Sequence, residues 1–129
     1  MPDATALLTD RAPAPVGPYS QAIQVDGFVF CSGQVGLDPK TGKIVEGGVT
    51  EQARQVLDNL AAVLASAGLT LSAVIKTTIF LVDINDFATV NAVYGERMGT
   101  PPPARSTVAV AALPLGARVE IEAIASAGA

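Results

Sequence analysis

The run Val74–Val82, VIKTTIFLV, constrains this chain most: it is apolar on nearly both faces and lies between two segments of helical spacing. Such a strand is expected to be central and covered. Upstream, Val49, Ala53, Val56, Leu57, Leu60, Val63, Leu64 and Ala67 recur with one buried stripe, and Gly68 stands where a helix C′ glycine belongs. Downstream, Asp83 or Asn85 can cap a second helix over about Asp86–Met98, with Phe87, Val90, Tyr94 and Met98 as its stripe. The prolines at 101–103 end it.

Short extended pieces flank this core. Residues 11–18, RAPAPVGP, are Pro- and Gly-rich. Tyr19–Val25 alternates as a strand, Asp26-Gly27 signals a type I′ turn, and Phe28–Ser32 returns. Gly33 and Gly36 mark sites where backbone bends or a group comes close. Asp38–Gly42 reads as a turn and Lys43–Val45 as a brief extended piece. Pro101–Ala125 reads as a β-hairpin: strand Ser106–Val110, turn Leu113–Gly116, return strand Val119–Ile124. Pairing Ala111 with Gly116 sets Glu120 opposite Thr107, with Arg105 diagonal to it. An arginine and a carboxylate so placed form either a surface ion pair or a grip for a small carboxylate, with the acid handling water or a proton.

The element order is β-β-(short β)-α-β-α-β-β, one α+β domain over residues 1–129 with a mixed sheet. Right-handed crossovers put both helices on one face. Several strands are apolar on both faces, and the chain offers no second cover. Other subunits are expected to supply it, making the protein an obligate oligomer.

Composition narrows the chemistry. Half of the 129 residues are hydrophobic and only 16% charged, which argues against disorder. The net charge of −4 and scattered basic residues disfavour nucleic acid. No apolar run is long enough for a membrane span, and the N-terminus lacks the pattern of a secretory signal. The lone Cys31 cannot pair internally, which fits a cytoplasmic setting and a small buried hydrophobe. Without histidine there is no Ser-His-Asp or Cys-His catalysis, and no metal site is expected. GLDPKTGKI (Gly36–Ile44) has the wrong spacing for a phosphate loop. Chemistry falls to Arg, Glu, Tyr, Ser, Thr and backbone amides.

Six segments together carry a resemblance: Ala14–Ser20 (APVGPYS), Ser32–Gln34 (SGQ), Val74–Asp83, Asp86–Tyr94 (DFATVNAVY), Pro103–Ser106 (PARS) and Leu113–Ala125 (LPLGARVEIEAIA). From about residue 11 to 125 the chain resembles the Rid proteins, the reactive intermediate deaminases or YjgF family. The resemblance implies a chorismate-mutase-like fold and a homotrimeric barrel with clefts between subunits. It implies hydrolysis of 2-imino acids and their enamine tautomers, such as 2-aminoacrylate and 2-iminopropionate, to 2-keto acids and ammonia. These compounds escape from pyridoxal-phosphate enzymes, and no cofactor is needed. Arg105 then grips the substrate carboxylate and Glu120 positions water or moves protons. Tyr19, Ser32, Gly33 and Asn91 match cleft residues. Thr107 stands where many members carry cysteine: it keeps a hydroxyl but loses thiol chemistry. Gly95 and Met98 stand where an aromatic is common, which bears on the cleft rim. The alternative on the same clefts is a non-catalytic protein that binds 2-keto acids.

Overall fold

The computed structural model describes residues 3–128. Its strands are β1 (Thr5–Leu7), β2 (Ala22–Val25), β3 (Phe28–Val35), β4 (Val74–Leu81), β5 (Ala104–Ala109) and β6 (Val119–Ser126). Its α-helices are α1 (Val49–Ala65) and α2 (Phe87–Arg97). The sheet has the order β1-β2-β3-β6-β4-β5. β4 and β5 pair in parallel and the other neighbouring strands antiparallel, so the sheet is mixed.

Local chemistry explains the elements. Asp26 and Gly27 both have positive φ (50° and 78°), as the type I′ turn between β2 and β3 requires. Gly68 takes φ 74° just beyond α1. Asp83 accepts a hydrogen bond from the Asn85 N–H, capping the short 3₁₀ turn that leads into α2. The apolar stripe of α1 packs on β3 and β6, and α2 packs on α1, so both helices share one face. Under them lie Val29, Ile79, Leu81, Val119 and Ile121, none with measurable exposure.

The expected hairpin does not form. β4 lies between β5 and β6, with Thr77 opposite both Arg105 and Ala123. Two physical reasons separate the strands. Val119, Ile121, Ala123 and Ala125 are all buried, which only a strand deep in the sheet achieves. β5 is small and exposed, and the prolines ahead of it suit an edge. The crossover through α1 also leaves β3 and β4 parallel with a gap one strand wide, and β6 fills it. Two smaller differences accompany this. Lys43–Val45 makes only an isolated bridge, Leu37 to Ile44. The edge strand β1, too short to register as a pattern, adds to β2.

The face opposite the helices is open, with an apolar patch beside the carboxylates of Glu120 and Glu122. Phe28, Phe30 and Val108 are 41, 44 and 42% exposed there. This agrees with the expectation of one covered and one uncovered face. Among the described residues, no helix is long and apolar enough to cross a membrane.

Candidate active site

Two clusters of the expected residues form, and the sheet separates them. The first surrounds a cleft of about 440 Å³, lined by Tyr19, Ser32, Gly33, Val35, Leu115 and Glu120 among others. A β-bulge between Cys31 and Gln34 creates it by breaking the alternation of β3. Ser32 leans away from the ladder: its N–H donates to Gln21 O (3.0 Å) and its hydroxyl to Ser20 O (2.6 Å). Beyond the bulge, Asn59 of α1 donates to the carbonyls of Val35 and Leu37 (3.2 and 3.0 Å), and Gly36 lies against Gln52, where a Cβ would come within 2.8 Å of its Cα. The helix thus fixes the far end of the cleft.

The near wall is the Pro-rich segment, and Gln21 fastens it. Buried Gln21 accepts from the Thr9 N–H (2.7 Å) and donates to the carbonyls of Thr9 and Pro13 (3.0 and 2.9 Å). Tyr19 is half exposed beside the cleft, and its hydroxyl accepts from the Val16 N–H (3.2 Å). Sequence reasoning missed Gln21 and Asn59. Their signal was polarity inside apolar patterns, which marks a buried amide with backbone partners.

Glu120 projects into this cleft from the open face of β6, half-buried opposite Val35 and Phe80. Burial raises its pKa above the usual carboxylate range, and the negative charge of Glu122 adds to the rise. A carboxyl so shifted exchanges protons closer to neutral pH.

The second cluster lies on the helix face at the β5 edge. Arg105 and Thr107 alternate onto that face opposite Thr77 and Ile79. The Arg105 guanidinium lies over two rings of α2, 5.0 Å from the centre of Tyr94 and 5.5 Å from that of Phe87. Asn91 sits between those rings in sequence, on the same helical stripe. Among the described residues, the buried Thr107 hydroxyl oxygen has no hydrogen-bond partner. An arginine that joins none of the ion pairs among the described residues can accept a planar anion.

Glu120 is therefore neither opposite Thr107 nor diagonal to Arg105. The inserted β4 and the pleat put the guanidinium and the carboxylate on opposite faces. Cys31 lies on the helix face, and burial pushes its thiol up to about 11, so it stays protonated and unreactive. Among the described residues, no three His, Cys, Asp or Glu side chains gather into a metal-holding group.

Comparison with known proteins adds to this geometry. The family model described as endoribonuclease L-PSP matches residues 9–127. The 2-iminobutanoate/2-iminopropanoate deaminase of Mus musculus is 55% identical over 122 residues, 95% of this chain and 90% of that protein. RidA from an Antarctic Psychrobacter superposes with a TM-score of 0.91 at 46% identity, covering 95% of this chain and 98% of that one. TdcF of E. coli, determined with bound serine, superposes at 0.88 with 44% identity and the same coverage. The chain belongs to the endoribonuclease L-PSP family, the Rid or YjgF family that its motifs resemble.

Proposed function

We propose that this protein is an imine deaminase that hydrolyses 2-imino acids and their enamine tautomers to 2-keto acids and ammonia, at sites completed between copies of the chain. The observation that carries the reading is the pairing of two half-sites: an arginine fork with no acidic partner on one sheet face, and a carboxyl of raised pKa in a cleft on the other. The similar deaminases and the serine-bound relative support it.

The chemistry follows from the groups. Arg105 binds the substrate carboxylate through two parallel N–H···O bonds, which lysine cannot copy. Thr107 supplies its unpaired hydroxyl beside it. Glu120, as the carboxylate, takes a proton from water as its oxygen bonds to C2 and the C=N π electrons move to nitrogen. Glu120 returns that proton to the nitrogen, giving a carbinolamine; it then carries the proton of the new hydroxyl to the amine, and as the C=O bond forms the C–N bond breaks and ammonia leaves. The products are the 2-keto acid and ammonia, with one water consumed. Tyr19, Ser32, Gly33 and Asn91 shape and line the combined site. No cofactor takes part. The whole chain acts as one domain, three copies closing a barrel over the open sheet face. Its role is to clear reactive by-products of pyridoxal-phosphate enzymes in the cytoplasm.

RNA cleavage, which the family model's description suggests, is less favoured: Glu120 and Glu122 make the cleft anionic, and the chain carries a net charge of −4. A non-catalytic 2-keto acid binder would use Arg105 but not need Glu120.

The test is to generate 2-iminobutanoate with an amino-acid oxidase and follow its disappearance. Wild type accelerates the loss over buffer, and Arg105→Ala lowers kcat/KM at least about a hundredfold. Binding of 2-oxobutanoate without any acceleration establishes the binder instead. Light scattering reads the number of copies.

A further inference from the structure

The three ion pairs among the described residues are Arg54–Glu51, Arg97–Asp58 and Arg118–Asp86. Arg105 belongs to none of them. What holds its head is aromatic: the rings of Tyr94 and Phe87 at 5.0 and 5.5 Å. A ring attracts a guanidinium through its face, whereas the five N–H donors radiate in the guanidinium plane. Contact with the ring faces therefore restricts the fork without setting an acid on its donors. An acidic neighbour would orient it too, but would consume the donors a ligand needs.

The ring beneath is itself fixed. Tyr94 is buried, and its hydroxyl lies 2.7 Å from Thr77 Oγ1 in a buried hydrogen bond. Thr77 has no measurable exposure and is the β4 residue directly opposite Arg105 in the parallel ladder. One β4 position thus neighbours the Arg105 backbone and anchors the ring under its head. Phe87 begins α2 on the same stripe and adds the second, more exposed ring.

We propose that Tyr94, tethered by Thr77 and assisted by Phe87, is a positioning residue that presets the plane of the Arg105 fork for a carboxylate. The inference rests on Arg105 being the carboxylate grip. Tyr94 touches no substrate; it acts through the arginine.

The experiment measures 2-oxobutanoate affinity by ligand-observed NMR and deaminase kinetics in parallel. Tyr94→Leu raises the Kd about tenfold and Phe87→Leu about threefold, as lost cation–π contacts would. KM rises with Kd while kcat stays within about twofold, because the contact serves ground and transition states alike. In an Arg105→Lys background, where no planar fork exists to orient, Tyr94→Leu costs less than about twofold. Tyr94→Phe, which keeps the ring, falls between wild type and Tyr94→Leu. Equal losses in both backgrounds, or none in either, overturn the proposal. Should Tyr94→Leu fail to fold, Phe87→Leu at its half-exposed site makes the same comparison. Wild type that binds 2-oxobutanoate but hydrolyses no imine sinks the deaminase reading and leaves this one standing. Wild type that fails to bind 2-oxobutanoate sinks this one.

Discussion

Gly33 and Glu120 approach so closely that a Cβ on Gly33 would lie 2.1 Å from Glu120 Oε2. The bulge of β3 and the carboxylate of β6 occupy one space, and only hydrogen fits between them. Gly33→Ala must push the carboxyl aside while leaving the fold nearly intact. Deaminase kcat/KM is expected to fall about a hundredfold, the usual cost of displacing a reacting group by an ångström. Steady-state kinetics and a melting curve check this; lost activity with a Tm near that of wild type is the expected pair.

The raised pKa of Glu120 predicts two pH effects. Its carboxylate form is the base, so activity falls on the acid side at a pH above the ordinary carboxylate value, and Glu122→Gln moves that limb lower. For stability the sign is opposite to that of a salt-bridged acid. A folded pKa above the unfolded one means the folded state binds the proton more tightly. The stabilisation is complete below the unfolded pKa and is lost as pH rises through the folded one. Glu120→Gln, which stays neutral, should melt higher than wild type at pH 7. That advantage should vanish below about pH 4. Calorimetry across pH reads it.

Complementation tests the shared site most directly. Arg105→Ala and Glu120→Gln are each expected to be inactive as pure assemblies. Co-expressed in equal amounts, they form mixed assemblies in which some sites receive the intact arginine from one copy and the intact glutamate from another. Random mixing restores about a quarter of wild-type activity. No recovery in a verified mixed assembly means that one copy supplies both groups.

Stability away from the site has its own test. Arg118 donates one nitrogen to both oxygens of Asp86 (3.0 and 2.9 Å), while its backbone N–H donates to Gln52 Oε1 (2.9 Å). Asp86 is nearly buried, and the start of β6, α1 and the entrance to α2 meet there. Asp86→Asn is expected to cost about 1–2 kcal/mol, because the half-exposed Arg118 regains water. The urea midpoint should drop with an unchanged slope.

Patterns governed by one segment were legible in the sequence. The stripe of α1, the Asp26-Gly27 turn and the two-faced run of β4 each follow from local periodicity. That Arg105 and Thr107 share one face, and Glu120 and Glu122 another, follows from alternation alone and needs no partner strand. What failed was pairing. A Leu-Pro-Leu-Gly turn looks the same whether its flanking strands touch or straddle a third. The choice was made by β3 and β4, far upstream, which left a slot for Val119–Ser126. Tyr94 was visible as a core residue, but that it carries the arginine depends on the α2–β5 packing.

The placement of β6 also has a consequence for biosynthesis. It is the sixth strand made yet lies between the third and fourth, so two raw edges wait while the intervening segments are translated. Until Val119–Ser126 clears the ribosome, those edges are open to the wrong neighbour, including a nascent sibling on the same message. Slowing translation just upstream of that segment should raise the aggregated fraction without altering the finished molecule.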